Sequence, residues 1–263
     1  MLKIKTKNKL NIHVVGAGGT GGYAIEYLTR LLAGGDHTLH IYDGDCVEPK
    51  NLLRQNFVSD DLDINKSLAL SHRMTRLVDN PPTIVAHPYY ITDKDEFLID
   101  VLSSFDDQDE SLVILMALDN IASRKTMNEI IFDDFQYMDI PVIVLDSGND
   151  NQGGQVNLYT NYDIAYETMF KSSNGILPTM LQFYPELDTI KDDNPGLVQN
   201  CADNTMSQPQ AMMCNVRNGE LLANIIYTIY THQSINANAW KSDILTGNTS
   251  SKFTGFYNSK EEV

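Results

Sequence analysis

The amino-acid sequence predicts an α/β fold, and two observations lead to it. Short apolar runs alternate with amphipathic stretches of helical period, which is the pattern of parallel strands joined by helices. Two later strands, predicted at 141–145 and 155–160, are separated by a connection too short for a helix, so we expect them to pair antiparallel. We therefore predict a Rossmann-like mixed sheet, parallel in its first half and antiparallel in its second, with helices on both faces.

Apolar periodicity and capping residues predict the individual elements of the first half. The most apolar run lies at 112–118 and should be a central parallel strand. The other strands are predicted at 12–15, 38–42 and 84–90, and the helices at 20–32, 66–78, 93–102 and 120–135.

We interpret the whole chain, 1–263, as a single domain with two regions of different character. Residues 161–205 have few periodic signals, and a segment of this length without clear structure is typically functional or mobile, which predicts a crossover or flap over a site. A strongly apolar face at 214–230 predicts a long helix on the sheet. Residues 233–263 should contain the last strands and a polar tail.

Composition excludes several classes of partner. The formal net charge of -16 argues against nucleic acid or an anionic membrane as the main partner. The 3 cysteines form no CxxC pair, and the first residues lack the apolar core of a signal peptide, so we expect a cytoplasmic protein. The 6 histidines have no close metal-ligand spacing and are expected to have structural or surface roles.

A glycine-rich turn connects the first strand to the first helix and matches the pattern Gly-x-Gly-x-x-Gly. Such a turn presents backbone N–H groups at a positive helix end, so we expect it to bind a nucleotide phosphate through Gly16, Gly18, Gly19 and Gly21. Asp43 ends the second strand, where its carboxylate could hold the ribose hydroxyls of either NAD or ATP. These residues alone leave the ligand open.

Three further residues favour ATP. Arg54 and Lys66 follow the second strand closely, and both could reach the phosphates from the carboxyl edge of the sheet. Asp119 ends the central strand and is suited to bind Mg²⁺, because hard cations prefer carboxylate oxygens. We also expect Arg124 to pair with Asp119 across one helical turn. A nicotinamide-dependent oxidoreductase would leave the two cations and Asp119 unexplained.

Taken in order, these motifs resemble the ThiF/MoeB/HesA family, the prokaryotic relatives of ubiquitin-activating enzymes. The similarity covers about residues 11–160, and the length is similar to that of the ThiF-like proteins of PRTRC plasmid systems. The motifs that carry it are Gly16 to Gly21, Asp43 with Asp45, Val47 with Glu48, Asn51-Leu52-Leu53-Arg54-Gln55, Lys66, Leu118-Asp119-Asn120 with Arg124, Asp146-Ser147-Gly148, and Gly154-Gln155-Val156.

The resemblance implies ATP-dependent adenylation of the C-terminal carboxylate of a small ubiquitin-like protein with a Gly-Gly-type tail, by a homodimer that uses Mg²⁺. A carboxylate and a phosphate are both anions, so this chemistry depends on positioning and charge neutralisation. The implied roles are ribose binding by Asp43, phosphate contacts by Asn51, Arg54 and Lys66, a shared pocket with Asp45 and Gln55, and Mg²⁺ binding by Asp119.

Many members of the family then transfer the acyl group to a cysteine. Cys201 is the better candidate because it precedes the last long helix, while Cys214, at the predicted start of that helix, stays open.

The sequence departs from the family in two respects. The two CxxC pairs of zinc-binding relatives are absent, so the zinc is not carried over. The arginine that many relatives carry before the first strand is absent too, and the amino terminus offers lysines only, which puts a contribution to the partner subunit's site in doubt. A non-catalytic ThiF-like scaffold that uses 161–205 as an interaction surface therefore remains an alternative, beside the nicotinamide-dependent oxidoreductase.

Overall fold

The computed structural model describes residues 1–92, 94–106, 108–149, 152–169, 171–185 and 210–257. In chain order, the strands within these ranges are β1 (Leu2–Lys3), β2 (Lys9–Val15), β3 (Thr38–Tyr42), β4 (Thr83–His87), β5 (Glu110–Met116), β6 (Val142–Asn149), β7 (Gly153–Thr160), β8 (Ile164–Glu167), β9 (Ser172–Gly175), β10 (Ser234–Ile235), β11 (Ala239–Asp243) and β12 (Thr249–Lys252).

Eight of these strands form the main sheet, in the order β12-β11-β7-β6-β5-β2-β3-β4. The five strands β2 to β6 run parallel, with Ile12 opposite Val113 in the β2–β5 pair. The strands β7, β11 and β12 extend the sheet antiparallel, and Leu145 of β6 lies opposite Leu158 of β7. The predicted mixed sheet is therefore confirmed, including its change of direction after β6.

Burial explains why the central strands form. In β5, every side chain from Leu112 to Met116 is almost completely shielded from solvent, as expected for a parallel strand covered by helices on both faces. The alternating and continuous apolar runs of the neighbouring strands join the same core cluster.

The helices within the described residues are α1 (Gly19–Leu32), α2 (Lys66–Met74), α3 (Lys94–Ser104), α4 (Ile121–Glu129), α5 (Met180–Phe183) and α6 (Gln210–His232). Asn65 caps α2, because its side-chain oxygen accepts from the backbone N–H groups of Ser67 and Leu68. The helix predicted at 120–135 changes to π-helical geometry at Ile130–Phe135. Across the described ranges, no helix combines the length and the apolar character that a membrane crossing demands.

A second sheet of four strands, in the order β10-β1-β8-β9, lies outside the predicted architecture. Its strands are only two to four residues long, which is too short to show a period in sequence. Within the segment predicted as a flap, 161–205, the described part contains β8, β9 and α5. Its covering role stays a prediction, and residues 186–205 lie outside the described ranges.

Candidate functional site

The glycine turn lies between β2 and α1, at the carboxyl edge of the parallel strands. Gly16 has a φ of +96° and its N–H donates to the carbonyl of Tyr42 at 2.9 Å. A Cβ at this position would lie 2.5 Å from the carbonyl oxygen of Ala117, so the turn passes directly over the end of β5. Helix α1 starts without a side-chain cap or an acidic residue in its first turn, which leaves its positive end suited to an anion.

Asp43 is held beside this turn by two backbone donors. The N–H of Ala17 donates to Asp43 Oδ2 at 2.8 Å, and the N–H of Asp45 donates to Asp43 Oδ1 at 2.9 Å. Burial raises the pKa of Asp43, although the charge of Lys66 and the two backbone N–H groups act against this rise. The structure thus places a fixed carboxylate next to the proposed phosphate cradle.

Lys66 and Asp45 meet at the same edge. Lys66 Nζ donates to Asp45 Oδ2 at 2.7 Å, and the hydroxyl of Tyr90 donates to Asp45 Oδ1. Burial would raise the pKa of Asp45, but the hydrogen bonds from Lys66 and Tyr90 and the positive charges of Lys66 and Lys50 lower it overall. Sequence reasoning missed Tyr90, because its contact with Asp45, 45 residues away in sequence, exists only in the folded chain.

The 3₁₀ segment Pro49–Leu53 leads to Arg54 and Gln55. Asn51 is buried, and its side-chain oxygen accepts from the N–H of Glu48 at 2.8 Å, so this oxygen stabilises the segment itself. Arg54 Nε and Gln55 Oε1 are shielded from solvent and have no hydrogen-bond partner among the described residues. Buried polar atoms are normally paired, and these two therefore suit a bound polar ligand.

Asp119 follows β5 and is exposed, with Oδ1 accepting from the side-chain amide of Asn120 at 3.2 Å. The expected Arg124–Asp119 pair is wrong, because the buried Arg124 forms its ion pair with the fully buried Asp146 of β6. Arg124 Nη2 also donates to the carbonyls of Leu118 and Ser147, at 2.7 and 2.8 Å. Burial lowers the pKa of Arg124 to about 10, and a charge buried this deeply needs a partner close by.

The described cysteines differ in their exposure to solvent. Cys214 lies on α6 and is buried, whereas Cys46 is exposed. Cys201 lies outside the described residues. Over the described ranges, no group of three or more His, Cys, Asp or Glu side chains could hold a metal ion. One carboxylate with phosphate oxygens and water is still a usual setting for Mg²⁺.

Three of the histidines form a ladder on β2, β3 and β4, in which His13 and His40 are buried and His87 is partly buried. The rings of His13 and His40 stack with centroids 4.3 Å apart, and His40 Nδ1 lies 3.0 Å from His87 Nε2. His87 Nδ1 lies 2.8 Å from Asp100 Oδ2 on α3. The ladder is structural, as expected of these histidines, but its members are too far apart in sequence to have been grouped.

Comparisons with known proteins agree with this architecture. A family model described as the ThiF family matches residues 3–259. No curated protein matches the chain. Among solved structures, PaaA has 16% sequence identity and a TM-score of 0.60 over 93% of this chain and 64% of that one.

Two structures of MccB, one of them of the E. coli protein, are similar to this chain to about the same extent as PaaA. MccB with ATP has 14% identity and a TM-score of 0.59 over 95% of this chain and 65% of that one. The microcin C7 biosynthetic enzyme MccB in complex with N-formylated MccA has 15% identity and a TM-score of 0.59, with 95% and 66% covered. The chain thus spans just under two thirds of these chains, and at such identities the likeness shows a shared fold.

Proposed function

The chain belongs to the ThiF family, and from this premise we propose that it is an ATP-dependent adenylyltransferase acting on a carboxylate. One observation carries the proposal: hydrogen bonds connect the glycine turn to Asp43, and Asp43 through Asp45 to Lys66, at one edge of the sheet. Asp119 follows β5 at the same edge. A solved structure of the structurally similar MccB with ATP supports the choice of nucleotide.

The site has the features that a nucleoside triphosphate requires. In this proposal Asp43, which lies beside the glycine turn, accepts from the ribose hydroxyls, and the start of α1 donates backbone N–H groups to the phosphates. Arg54 Nε and Gln55 Oε1, which have no partner among the described residues, would gain one from the bound ligand. Asp119 would hold Mg²⁺, which supplies positive charge at the phosphate oxygens when bound.

The proposed reaction joins two anions. A carboxylate oxygen of the acyl substrate attacks the α-phosphorus of ATP, the bond from that phosphorus to the bridging oxygen breaks, and pyrophosphate leaves. Arg54 and Lys66 reduce the repulsion between the two anions and stabilise the charge that develops on the leaving group. The rigid sheet edge holds the reacting groups in position, which lowers the entropic part of the barrier.

We further propose that the acyl substrate is the C-terminal tail of a small ubiquitin-like protein with a Gly-Gly-type end, and that the enzyme is a homodimer. The sequence motifs support this substrate class. The structure of MccB in complex with N-formylated MccA supports the narrower point that a protein of this fold binds a second molecule of this kind.

The test begins with nucleotide choice. We expect ATP with Mg²⁺ to raise the Tm of the protein and NAD to leave it unchanged, because only ligands that bind the folded state stabilise it. A shift with NAD and none with ATP would favour the oxidoreductase alternative. The second step is ATP–pyrophosphate exchange with candidate carboxylate proteins, read with and without a Gly-Gly end. ATP binding without exchange for any of them would favour the scaffold.

A further inference from the structure

The side chain of Asn215, on α6, joins three segments around the glycine turn. It is buried, its Nδ2 donates to the carbonyl of Arg54 at 3.1 Å, and its Oδ1 accepts from Asn149 Nδ2 at 2.6 Å. A Cβ at Gly19 would overlap the Cγ, Oδ1 and Nδ2 atoms of Asn215, so the amide lies in direct contact with the first residue of α1. One side chain thus touches both the glycine turn and the segment that carries Arg54.

The packing of α6 on α1 sets the position from which this side chain extends. Gly219 follows Asn215 by one helical turn and faces the same side. A Cβ at Gly219 would lie 2.8 Å from the backbone nitrogen of Ala24 and 3.0 Å from the carbonyl of Thr20, which shows that the two helices are in backbone contact. The close packing of α6 on α1 therefore keeps the backbone of Asn215 beside the turn.

Resting on the proposed function, we infer that Asn215 is a positioning residue that sets the distance between Arg54 and the first N–H groups of α1. In the proposed complex with ATP, both groups would contact phosphate oxygens. Arg54 Nε has no partner among the described residues, and the backbone of Arg54 is held by two bonds, from its own N–H to the carbonyl of Asn51 at 3.2 Å and from Asn215 to its carbonyl at 3.1 Å. The proposed role belongs to the phosphate part of the site and leaves the ribose part with Asp43.

Asn218 supplies a matched control on the same helix. It is the same residue type and also buried, but its Nδ2 donates to the carbonyl of Gly148 at 3.1 Å and its Oδ1 accepts from Ser242 Oγ at 3.1 Å. These bonds join α6 to β6 and β11 and involve neither Arg54 nor the glycine turn. The two asparagines therefore separate general stability from phosphate positioning.

The experiment measures the Kd of ATP and of adenosine by calorimetry for the wild-type protein and for Asn215→Leu and Asn218→Leu. Leucine has the same number of side-chain heavy atoms as asparagine, with the same branching at Cγ, and it removes the hydrogen bonds. We expect Asn215→Leu to weaken ATP by about tenfold, equivalent to about 1.4 kcal/mol, and adenosine by less than about twofold. Asn218→Leu should lower the Tm by about as much as Asn215→Leu does, because each variant loses the hydrogen bonds of a buried side-chain amide. It should leave the Kd values of ATP and adenosine within about twofold of wild type.

Asn149→Ala is a second variant for the case in which Asn215→Leu does not fold, since Asn149 is exposed and its side-chain amide donates to Asn215 Oδ1. We expect about threefold weaker ATP binding from it. An unchanged ATP Kd in Asn215→Leu, or in Asn149→Ala, would overturn the positioning role while leaving the proposed function intact. A wild-type protein that binds no ATP would overturn both.

Discussion

Lys66 and Asp45 form an ion pair, with 2.7 Å between Lys66 Nζ and Asp45 Oδ2, in which the lysine side chain is 9% exposed and the aspartate side chain 51%. A lysine this buried is usually paired, and here the pair stands at the edge of the proposed phosphate site. Asp45 therefore orients Lys66 while the ammonium group keeps two further donors for a ligand.

The first prediction concerns this pair. Lys66→Met should reduce ATP–pyrophosphate exchange by about 100-fold, because a charge that stabilises the leaving group is lost. Asp45→Asn should reduce it less, since the lysine remains. Lys94, which pairs with Asp134 on the surface, provides the control, and Lys94→Met should exchange at the wild-type rate. Equal activity of Lys66→Met and Lys94→Met would remove Lys66 from the site.

The second prediction concerns Asp119 and Mg²⁺. Asp119→Asn should require at least about tenfold more Mg²⁺ for half-maximal exchange, because an amide oxygen is a weaker ligand than a carboxylate. Asp60→Asn changes an exposed aspartate in the segment Ser59–Asp61 and should leave the Mg²⁺ dependence unaltered. Wild-type exchange that continues after all divalent cations have been chelated would contradict the metal role.

The third prediction concerns the histidine ladder and acid stability. Burial, aided by the neighbouring His87, lowers the pKa of His40 to about 4. The unfolded chain therefore binds a proton near the ordinary histidine pKa of about 6.5, and the folded chain does not. The contribution of His40 to the free energy of unfolding is therefore fully present above about pH 6.5. It falls as the pH drops toward 4, by at most about 1.4 kcal/mol per pH unit.

Thermal unfolding followed from pH 7.5 to 4 checks this directly. His40→Gln should give a flatter pH profile than wild type, while the exposed His72 serves as the control, because His72→Gln should leave the slope as it was. A profile that His40→Gln does not flatten would mean that another buried group, such as His13, carries the effect. Burial also lowers the pKa of His13 well below its ordinary value.

The fourth prediction separates the cysteines. Cys214 is 0% exposed on α6, which keeps its sulfur from an incoming acyl group. If an acyl group is transferred to this protein, Cys201→Ala should abolish the thiol-sensitive adduct with the acyl partner, and Cys214→Ala should retain it. Both variants should keep pyrophosphate exchange, because adenylation precedes any thioester. An adduct that survives in Cys201→Ala and vanishes in Cys214→Ala would reverse the assignment.

Much of the main sheet could be predicted because its signals are local. The apolar runs of β2 and β5 and the glycine turn each identify themselves within a few residues. The Arg124–Asp119 prediction failed because it relied on proximity along the chain. The actual partner, Asp146, is buried in the neighbouring strand β6, and the sequence does not reveal that burial. A buried carboxylate needs a cation more than an exposed one does, so Arg124 pairs with Asp146 and not with Asp119.

The contacts of Asn215 and Tyr90 depend on tertiary structure in the same way. Asn215 meets Arg54 across 161 residues of sequence, and Tyr90 meets Asp45 across 45. No periodicity or short motif carries such information, because each contact exists only after the helices and strands have packed. The assignments of Asp43, Arg54, Lys66 and Asp119 to the nucleotide remain predictions for the experiments above.

The small second sheet has a consequence for how the chain acquires its structure. Strand β1 lies between β10 and β8, and Leu2 is opposite both Ile235 and Tyr166. During synthesis, β1 therefore cannot complete its pairing until β10, more than 200 residues later in the chain, has been made. Closing so large a loop is slow, and Leu2 and Ile4, which end fully buried, are open to wrong contacts in the interval.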